Sequence, residues 1–315
     1  MTQYIGRRLL ILPVIMLGVS MLVFLVIHLV PGNPAQVIAG ADAPPDVVAS
    51  IEKELGLDQP LPRQYANYLG RVLQGDLGTS LRSNRPVFDE VMEALPRTLQ
   101  LAVAAAILTF IIAIPLGVTA AAKRGTIVDS GLMMGSMLGI TLPVFAVGLG
   151  LMYLVGYKLQ WLPISSRGEP IWTIAGLKSM ILPAITLSVG SIATMSRLTR
   201  STMLEVLNQD FVRVARAKGL REVPVLIKHA LPNAMLPIVT VVGLQFAYLL
   251  SGAVVTETIF AVPGVGRLAV YAIQGRDFPV VQSLVLFIAM SVILVNLLVD
   301  VAYAWLDPRI SVTGK

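Results

Sequence analysis

Few residues of this chain could do chemistry in an apolar setting. It has two histidines, His28 and His229, and no cysteine. A disulfide framework or a thiolate metal site is therefore excluded, and two scattered imidazoles do not build a histidine metal centre. Asn296 and Asp300 stand four residues apart and share a helix face. Asp300 fits an ion pair with a basic residue such as Arg197, or a step in a proton or ion path. A single acid without an embedded partner makes a weak relay. Gln245 fits a polar pathway and an interhelical hydrogen bond equally well. Glu257 precedes Pro263, Gly264 and Gly266, a turn-forming group that reads as a gate or as a plain connector. None of these residues forms a nucleophile–base pair, so no catalytic residue is assigned and the chain does not read as an enzyme.

The densest polar chemistry lies between Phe211 and Pro232, where the chain reads FVRVARAKGLREVPVLIKHALP. Thr202 and Glu205 have the spacing of a capping box. Leu204, Leu207, Phe211 and Val214 recur at three and four residues, the spacing of an apolar helical face. Arg213, Arg216 and Lys218 project elsewhere. Gly219 supplies a helix stop, Pro224 opens a second helical turn near Glu222, and Leu231–Pro232 ends the unit. The whole reads as a compact helix–turn–helix lying flat beneath a bundle. As a basic amphipathic segment it could rest on lipid headgroups. Its acidic residues and central glycine turn fit a protein groove better.

What surrounds this stretch is built for lipid. The chain has 315 residues, of which 56% are hydrophobic and 13% charged, and its mean hydropathy is +0.79. A soluble domain carries about 25% charged residues, so the composition indicates a polytopic membrane protein. The basic balance, pI ≈ 9.7, fits cytoplasmic loops of such a protein better than nucleic acid. Six stretches approach the roughly 20 apolar residues needed to span a bilayer: Leu9–Val30, Thr98–Ala122, Leu132–Tyr157, a short one from Ser179 to Ser196, Ala234–Thr256, and Phe278–Val299 running on to Trp305. The first follows Arg7 and Arg8 but is too long for a signal peptide and reads as an uncleaved span. With the N-terminus inside, inner segments hold 13 of the 24 Lys and Arg residues against 5 acidic ones. More than half of the outer basic residues lie in one long loop, where the positive-inside rule has little force. The expectation is an all-α membrane protein with six transmembrane helices, N-in and C-in.

The outer loop from Pro31 to Arg97 is long for a connector. It contains a helix-like stretch between Pro44–Pro45 and Gly56, and GDLGTS at Gly75–Ser80. It fits a cap over the bundle or a docking surface for a soluble partner. The third span carries Gly135 and Gly139 in a close-packing spacing, with Gly148 and Gly150 beyond. Pro115, Pro143 and Pro183 lie inside spans two, three and four, where proline kinks a helix. The segment Glu257–Gln282 reads as a short hairpin at the outer mouth, with Arg276 and Asp277 as a local surface pair.

The stretch around Gly219 resembles the cytoplasmic motif EAA-x3-G-x9-I-x-L-P of permease subunits in binding-protein-dependent ABC importers. With the motif's glycine on Gly219, its last alanine falls on Ala215 and its Leu-Pro on Leu231 and Pro232. Arg213, Val214 and His229 replace its Glu, first Ala and Ile. VRVARAKGL with KHALPNAMLP, LGLDQPL, GDLGTS, VPGVGR, RDFPVVQ and LDPRI are together similar to the dipeptide, oligopeptide, glutathione and nickel subfamily, in the family's order. The resemblance implies a three-part chain: 1–30 as tail and first helix, 31–97 as extracytoplasmic loop, and 98–315 as the importer core with a coupling helix at about 203–232.

It also implies a peptide permease of a bacterial inner membrane, with a homologous second permease subunit, two cytoplasmic ATPases and an extracytoplasmic binding protein that meets the 31–97 loop. Asp210, Arg213, Ala215, Arg216, Lys218, Gly219, Leu231 and Pro232 would meet an ATPase. Gln245, Glu257, Pro263, Gly264, Gly266 and Asn296 would serve a pathway or gate. The chain contains no G-x-x-x-x-G-K-[ST], so no phosphate-cradling loop. It would hold no cofactor or metal itself, and ATP and Mg would sit on the partners. Nickel or glutathione are the alternative cargoes. An ion-coupled secondary transporter, which calls for several embedded charges and inverted repeats, and an intramembrane enzyme are the competing classes.

Overall fold

The computed structural model describes residues 2–29, 34–39, 43–54, 56–166 and 168–306, with the side chains of most of them. Those described form thirteen α-helices, two of them extended by π-helical turns. Among the described residues there is no strand, only an isolated bridge between Thr79 and Pro86. By packing the chain divides into two compact units, residues 1–96 with 267–294 and residues 97–266 with 295–315.

The first unit holds α1 (Thr2–Leu29), α2 (Pro34–Ala39), α3 (Pro45–Glu54) and α4 (Leu61–Leu73). α3 begins at the expected prolines, and Gly56 follows its end at φ +67°. α4 was not foreseen. Its Tyr65 and Tyr68 pack on Phe24 of α1, with ring centroids 5.4 and 6.1 Å apart. The Tyr65 hydroxyl lies 2.8 Å from Ser20 Oγ. Burial pushes the Tyr68 hydroxyl up to about 12. The GDLGTS segment is fixed by Asp277, which is 2% exposed. Ser80 Oγ donates to its Oδ2 at 2.6 Å and the Leu81 amide to its Oδ1 at 3.2 Å. This corrects the expected Arg276–Asp277 surface pair. Asp277 stands just before α13 (Phe278–Leu306), where a buried carboxylate must take up hydrogen bonds, and Ser80 of GDLGTS and the following Leu81 supply them.

The second unit is organised around α8 (Ile174–Leu207), which packs against α6 (Ile127–Thr141), α7 (Val144–Leu151) and α11 (Leu231–Ile259). Its buried face is rich in small residues, among them Ser188, Ser191, Ala193, Ser196 and Thr199, beside larger ones such as Leu187 and Met195. Small residues let backbones approach where apolar burial against lipid gives little drive. The approach is close: a Cβ on Gly117 of α5 (Val87–Ala122) would stand 2.6 Å from the Ser196 carbonyl oxygen. Of the two glycines spaced for packing on α6, only Gly139 meets α8, against Ala193 and Val189, while Gly135 faces open space. Asp129 is buried near the start of α6 and takes a two-pronged hydrogen bond from Arg200, at 2.6 and 2.7 Å.

Several expected boundaries shift. α5 begins at Val87 rather than Thr98, and α8 runs through to Leu207. Lys178 and Arg197, which flank the expected fourth span, bound its apolar part and not the helix. Residues 197–207 contain no Gly or Pro to stop it. Thr202 and Glu205 therefore lie inside α8 and cap nothing, and Thr202 Oγ1 donates back to the Leu198 and Thr199 carbonyls. The third span is not one kinked helix. α6 and α7 meet at 101° across Leu142–Pro143. Leu142 is extended, ψ 126°, as a residue before proline prefers, whereas α5 and α8 run through Pro115 and Pro183 unbroken.

The expected outer hairpin is instead a helix, α12 (Val265–Gln274). Among the described residues three helices are long and apolar enough to cross a membrane, and the bent α6–α7 pair makes a fourth if taken as one span.

Candidate functional site

The expected helix–turn–helix exists and its two faces differ. α9 (Asp210–Ala217) follows a break at Asn208–Gln209. Gly219 takes φ +76° at the turn, the left-handed conformation that glycine adopts most easily. α10 (Glu222–Pro224) then passes through a π-helical turn, Val225–Ala230, directly into α11. Leu231–Pro232 thus opens α11 instead of closing the unit.

The inner face is Val212, Ala215, Val225, Leu226 and Ala230. It packs on Ala121 at the end of α5, Met203 and Val206 of α8 and Ala234 of α11. The apolar face expected from Phe211 and Val214 is the opposite one. The break at Asn208–Gln209 resets the helical phase, so Val212 and Ala215 turn inward, while Phe211 and Val214 are 39% and 52% exposed. Leu220, Val223 and Ile227 are exposed beside them, and so are Arg213, Lys218, Arg221 and Lys228. The outward surface is therefore apolar and ringed with cations. Water is a poor match for that combination and a protein groove a good one.

Two ion pairs shape this surface. Asp210 accepts from Arg213 at 3.2 Å within the first turn of α9, where a carboxylate also suits the helix dipole. Arg216 grips Glu222 with two bonds, 2.6 and 3.2 Å, across the Gly219 turn. The hydrogen bonds it donates to Glu222 hold the Arg216 guanidinium above its usual range.

A second cluster surrounds Glu257 near the end of α11, wholly buried. Thr98 Oγ1 donates to its Oε1 at 2.6 Å and accepts the Val265 amide at 2.8 Å. The turn through Pro263 folds back over the carboxylate. A Cβ on Gly264 would overlap both of its oxygens, and one on Gly266 would stand 2.6 Å from Val254 Cα. Both glycines are required by proximity. Thr98 escaped the sequence reading because its partner is 159 residues away. Asp129 and Arg200 escaped it likewise. The side chains of His28, Gln245, Asn296 and Asp300 lie outside the described residues.

Residues 113–312 match the binding-protein-dependent transport system inner membrane component, and residues 1–102 match its N-terminal membrane component. The chain is 43% identical to the dipeptide transport system permease protein DppB of Escherichia coli K12, covering 98% of this chain and 99% of that one. It is 41% identical to DppB of Alkalihalophilus pseudofirmus and 43% identical to the glutathione transport system permease protein GsiC of Salmonella typhimurium, each with the same coverage. Among solved structures, the MetNI methionine ABC transporter in an inward-facing form has a TM-score of 0.59 at 16% identity, over 69% of this chain and 96% of that one, a likeness of fold. The chain belongs to the family of inner-membrane components of binding-protein-dependent transport systems.

Proposed function

We propose that this chain is one half of the translocation pathway of an ATP-driven importer of di- or oligopeptides, working in a bacterial inner membrane. The observation that carries the reading is the likeness to dipeptide permeases along 98% of the chain. In this reading six spans cross the bilayer, N-in and C-in. Residues 1–30 form the tail and first span, residues 31–97 the outer loop that receives a loaded binding protein, and residues 98–315 the core. Its partners are a homologous second permease subunit and two cytoplasmic ATPases, which carry the ATP and Mg.

The outward face of α9 and its turn seats in an ATPase groove. Asp210, Arg213, Arg216 and Lys218 provide its charges and Gly219 its bend. Ala215 anchors it from behind, and Leu231 and Pro232 lead it into α11. Phe211, Val214, Leu220, Val223 and Ile227 supply the apolar contact that the sequence motif alone did not single out. A ligand shifts a conformational equilibrium only through contacts that differ between its states. An ATPase can drive this chain only by gripping such a surface. Gln245, Glu257, Pro263, Gly264, Gly266 and Asn296 remain the proposed pathway or gate residues.

The likeness to GsiC supports glutathione, itself a small peptide, as the second cargo reading. The deciding experiment is ATP-dependent uptake by the assembled transporter in proteoliposomes, with its binding protein loaded in turn with labelled dipeptide, glutathione or nickel. Peptide uptake that requires both ATP and binding protein supports the proposal. Uptake of nickel alone, or uptake by the isolated chain without ATPases, overturns it.

A further inference from the structure

The segment joining α7 to α8 has features that transport coupling does not use. α7 continues as a π-helical turn, Met152–Lys158, and the chain then bends at Gln160, φ +53°, before entering α8. An open cavity of about 640 Å³ lies along this bend, within the roughly 300–1,000 Å³ of small-molecule sites. Two side chains of opposite charge line it, Glu169 and Lys178. Among the described residues neither forms an ion pair. Tyr157 and Trp161 supply aromatic walls, and Gln160 and Ser179 add hydrogen-bonding groups.

The neighbourhood is apolar and uncovered. Trp161 and Trp172 are 72% and 79% exposed, and Ile174 and Leu177 stand open beside them. Tyr153 stacks on Tyr157 at 5.9 Å, with Lys158 Nζ 5.9 Å from its ring centre. Tryptophan, tyrosine and lysine in this mixture mark the depth of a bilayer at which headgroups meet hydrocarbon.

We propose that this cavity binds the headgroup of a zwitterionic phospholipid, its phosphate toward Lys178 and its amine toward Glu169, with the acyl chains over the exposed aromatic rim. Charge decides the class. A purely anionic headgroup leaves Glu169 facing like charge, and a purely cationic ligand does the same to Lys178. A short peptide is also a zwitterion, but in a peptide site Trp172, Ile174 and Leu177 would remain in water. The inference rests on the chain lying in a membrane and not on the identity of its cargo.

The test uses the assembled transporter in nanodiscs of equal phosphatidylethanolamine and phosphatidylglycerol, with the lipids retained on the complex counted by native mass spectrometry. The complex is expected to keep phosphatidylethanolamine in preference. Glu169→Gln and Lys178→Ala should each lower that preference about two- to fivefold, the range of an exposed ion pair. Equal retention of the two lipids, a preference unchanged in both variants, or displacement of the lipid by added dipeptide would overturn the proposal. The last result would hand the cavity to a transported solute.

Discussion

Replacing Gly219 by alanine isolates the backbone of the proposed docking turn. The glycine has φ +76°, and nothing lies within 4 Å of where a Cβ would stand. A methyl group there meets no neighbour, so its whole cost is conformational. An L-residue in the left-handed region costs about 1–2 kcal/mol, and Asn less because it visits that region readily. One to two kcal/mol changes the population of the turn by about 5- to 30-fold. The loss should stay local, because Val212, Ala215, Val225 and Ala230 hold the inner face independently. A complex carrying Gly219→Ala should therefore assemble and melt within a few degrees of wild type, since about 1 kcal/mol moves Tm by roughly 2–4 °C in larger domains. ATP-driven uptake in proteoliposomes should fall several-fold relative to ATPase turnover. Gly219→Asn should lie near wild type. Gly219→Val should be worst, because β-branched residues rarely adopt positive φ. Wild-type uptake by the Val variant would refute the reasoning. An Asn variant as poor as Val would also refute it, since the partner would then require absence of a side chain and not the sign of φ.

Gly264→Ala drives a methyl group into the buried Glu257 carboxylate and should cost about 1–3 kcal/mol, as overpacking does; an unchanged melting temperature in detergent would contradict the close approach. Thr98→Val removes both the donor to Glu257 and the acceptor for the Val265 amide, for about 1–3 kcal/mol, and Thr98→Ser should restore most of it on the same melting assay. Asp277→Ala leaves the Ser80 hydroxyl and the Leu81 amide without their acceptor. Proteolysis of intact vesicles should then cut the 75–86 segment faster, and equal cutting rates would argue against the anchor. Arg216→Ala breaks an ion pair whose partners are 42% and 53% exposed, so stability should fall by under about 1 kcal/mol. A thermal shift well beyond that would mean the pair does more than shape the surface.

Long apolar runs made the helices legible, because a single segment can satisfy its own backbone within lipid only as a helix. Their ends were less legible, because charges mark the membrane edge and not the helix stop, as Arg197 inside α8 illustrates. Val265, Leu268, Ala269 and Ala272 have the i, i+3, i+4, i+7 spacing of a helix, and Pro263 with two glycines masked it as a hairpin. In the α9–α10 unit the bend at Gly219 could be read locally. Which face pointed outward could not. That depended on the phase break at Asn208–Gln209, where no Gly or Pro stands to announce it. Thr98 with Glu257, and Asp129 with Arg200, are pairings across distant segments, and no local pattern signals them.

The proposed docking unit would work only if it were rigid toward the bundle and yielding toward its partner, and its two faces suit those tasks. Close-packed interiors transmit strain and have little room to absorb it. Val212 and Ala215 are wedged against Met203, Val206 and Ala121, so a push on Phe211 or Val214 must displace the ends of α5 and α8 together. α8 has 34 residues and is about 50 Å long at 1.5 Å per residue. A tilt begun at Leu207 therefore reaches Ile174 through an unbroken rod. α11 receives the same push without a hinge, because helical backbone runs from Glu222 through Leu231 to Ile259. A flexible linker at Leu231–Pro232, where the sequence alone puts the boundary, would dissipate that motion. Placing Gly-Gly there should thus abolish uptake while leaving ATPase binding intact, and full uptake by such a variant would mean that force enters the membrane helices by another route.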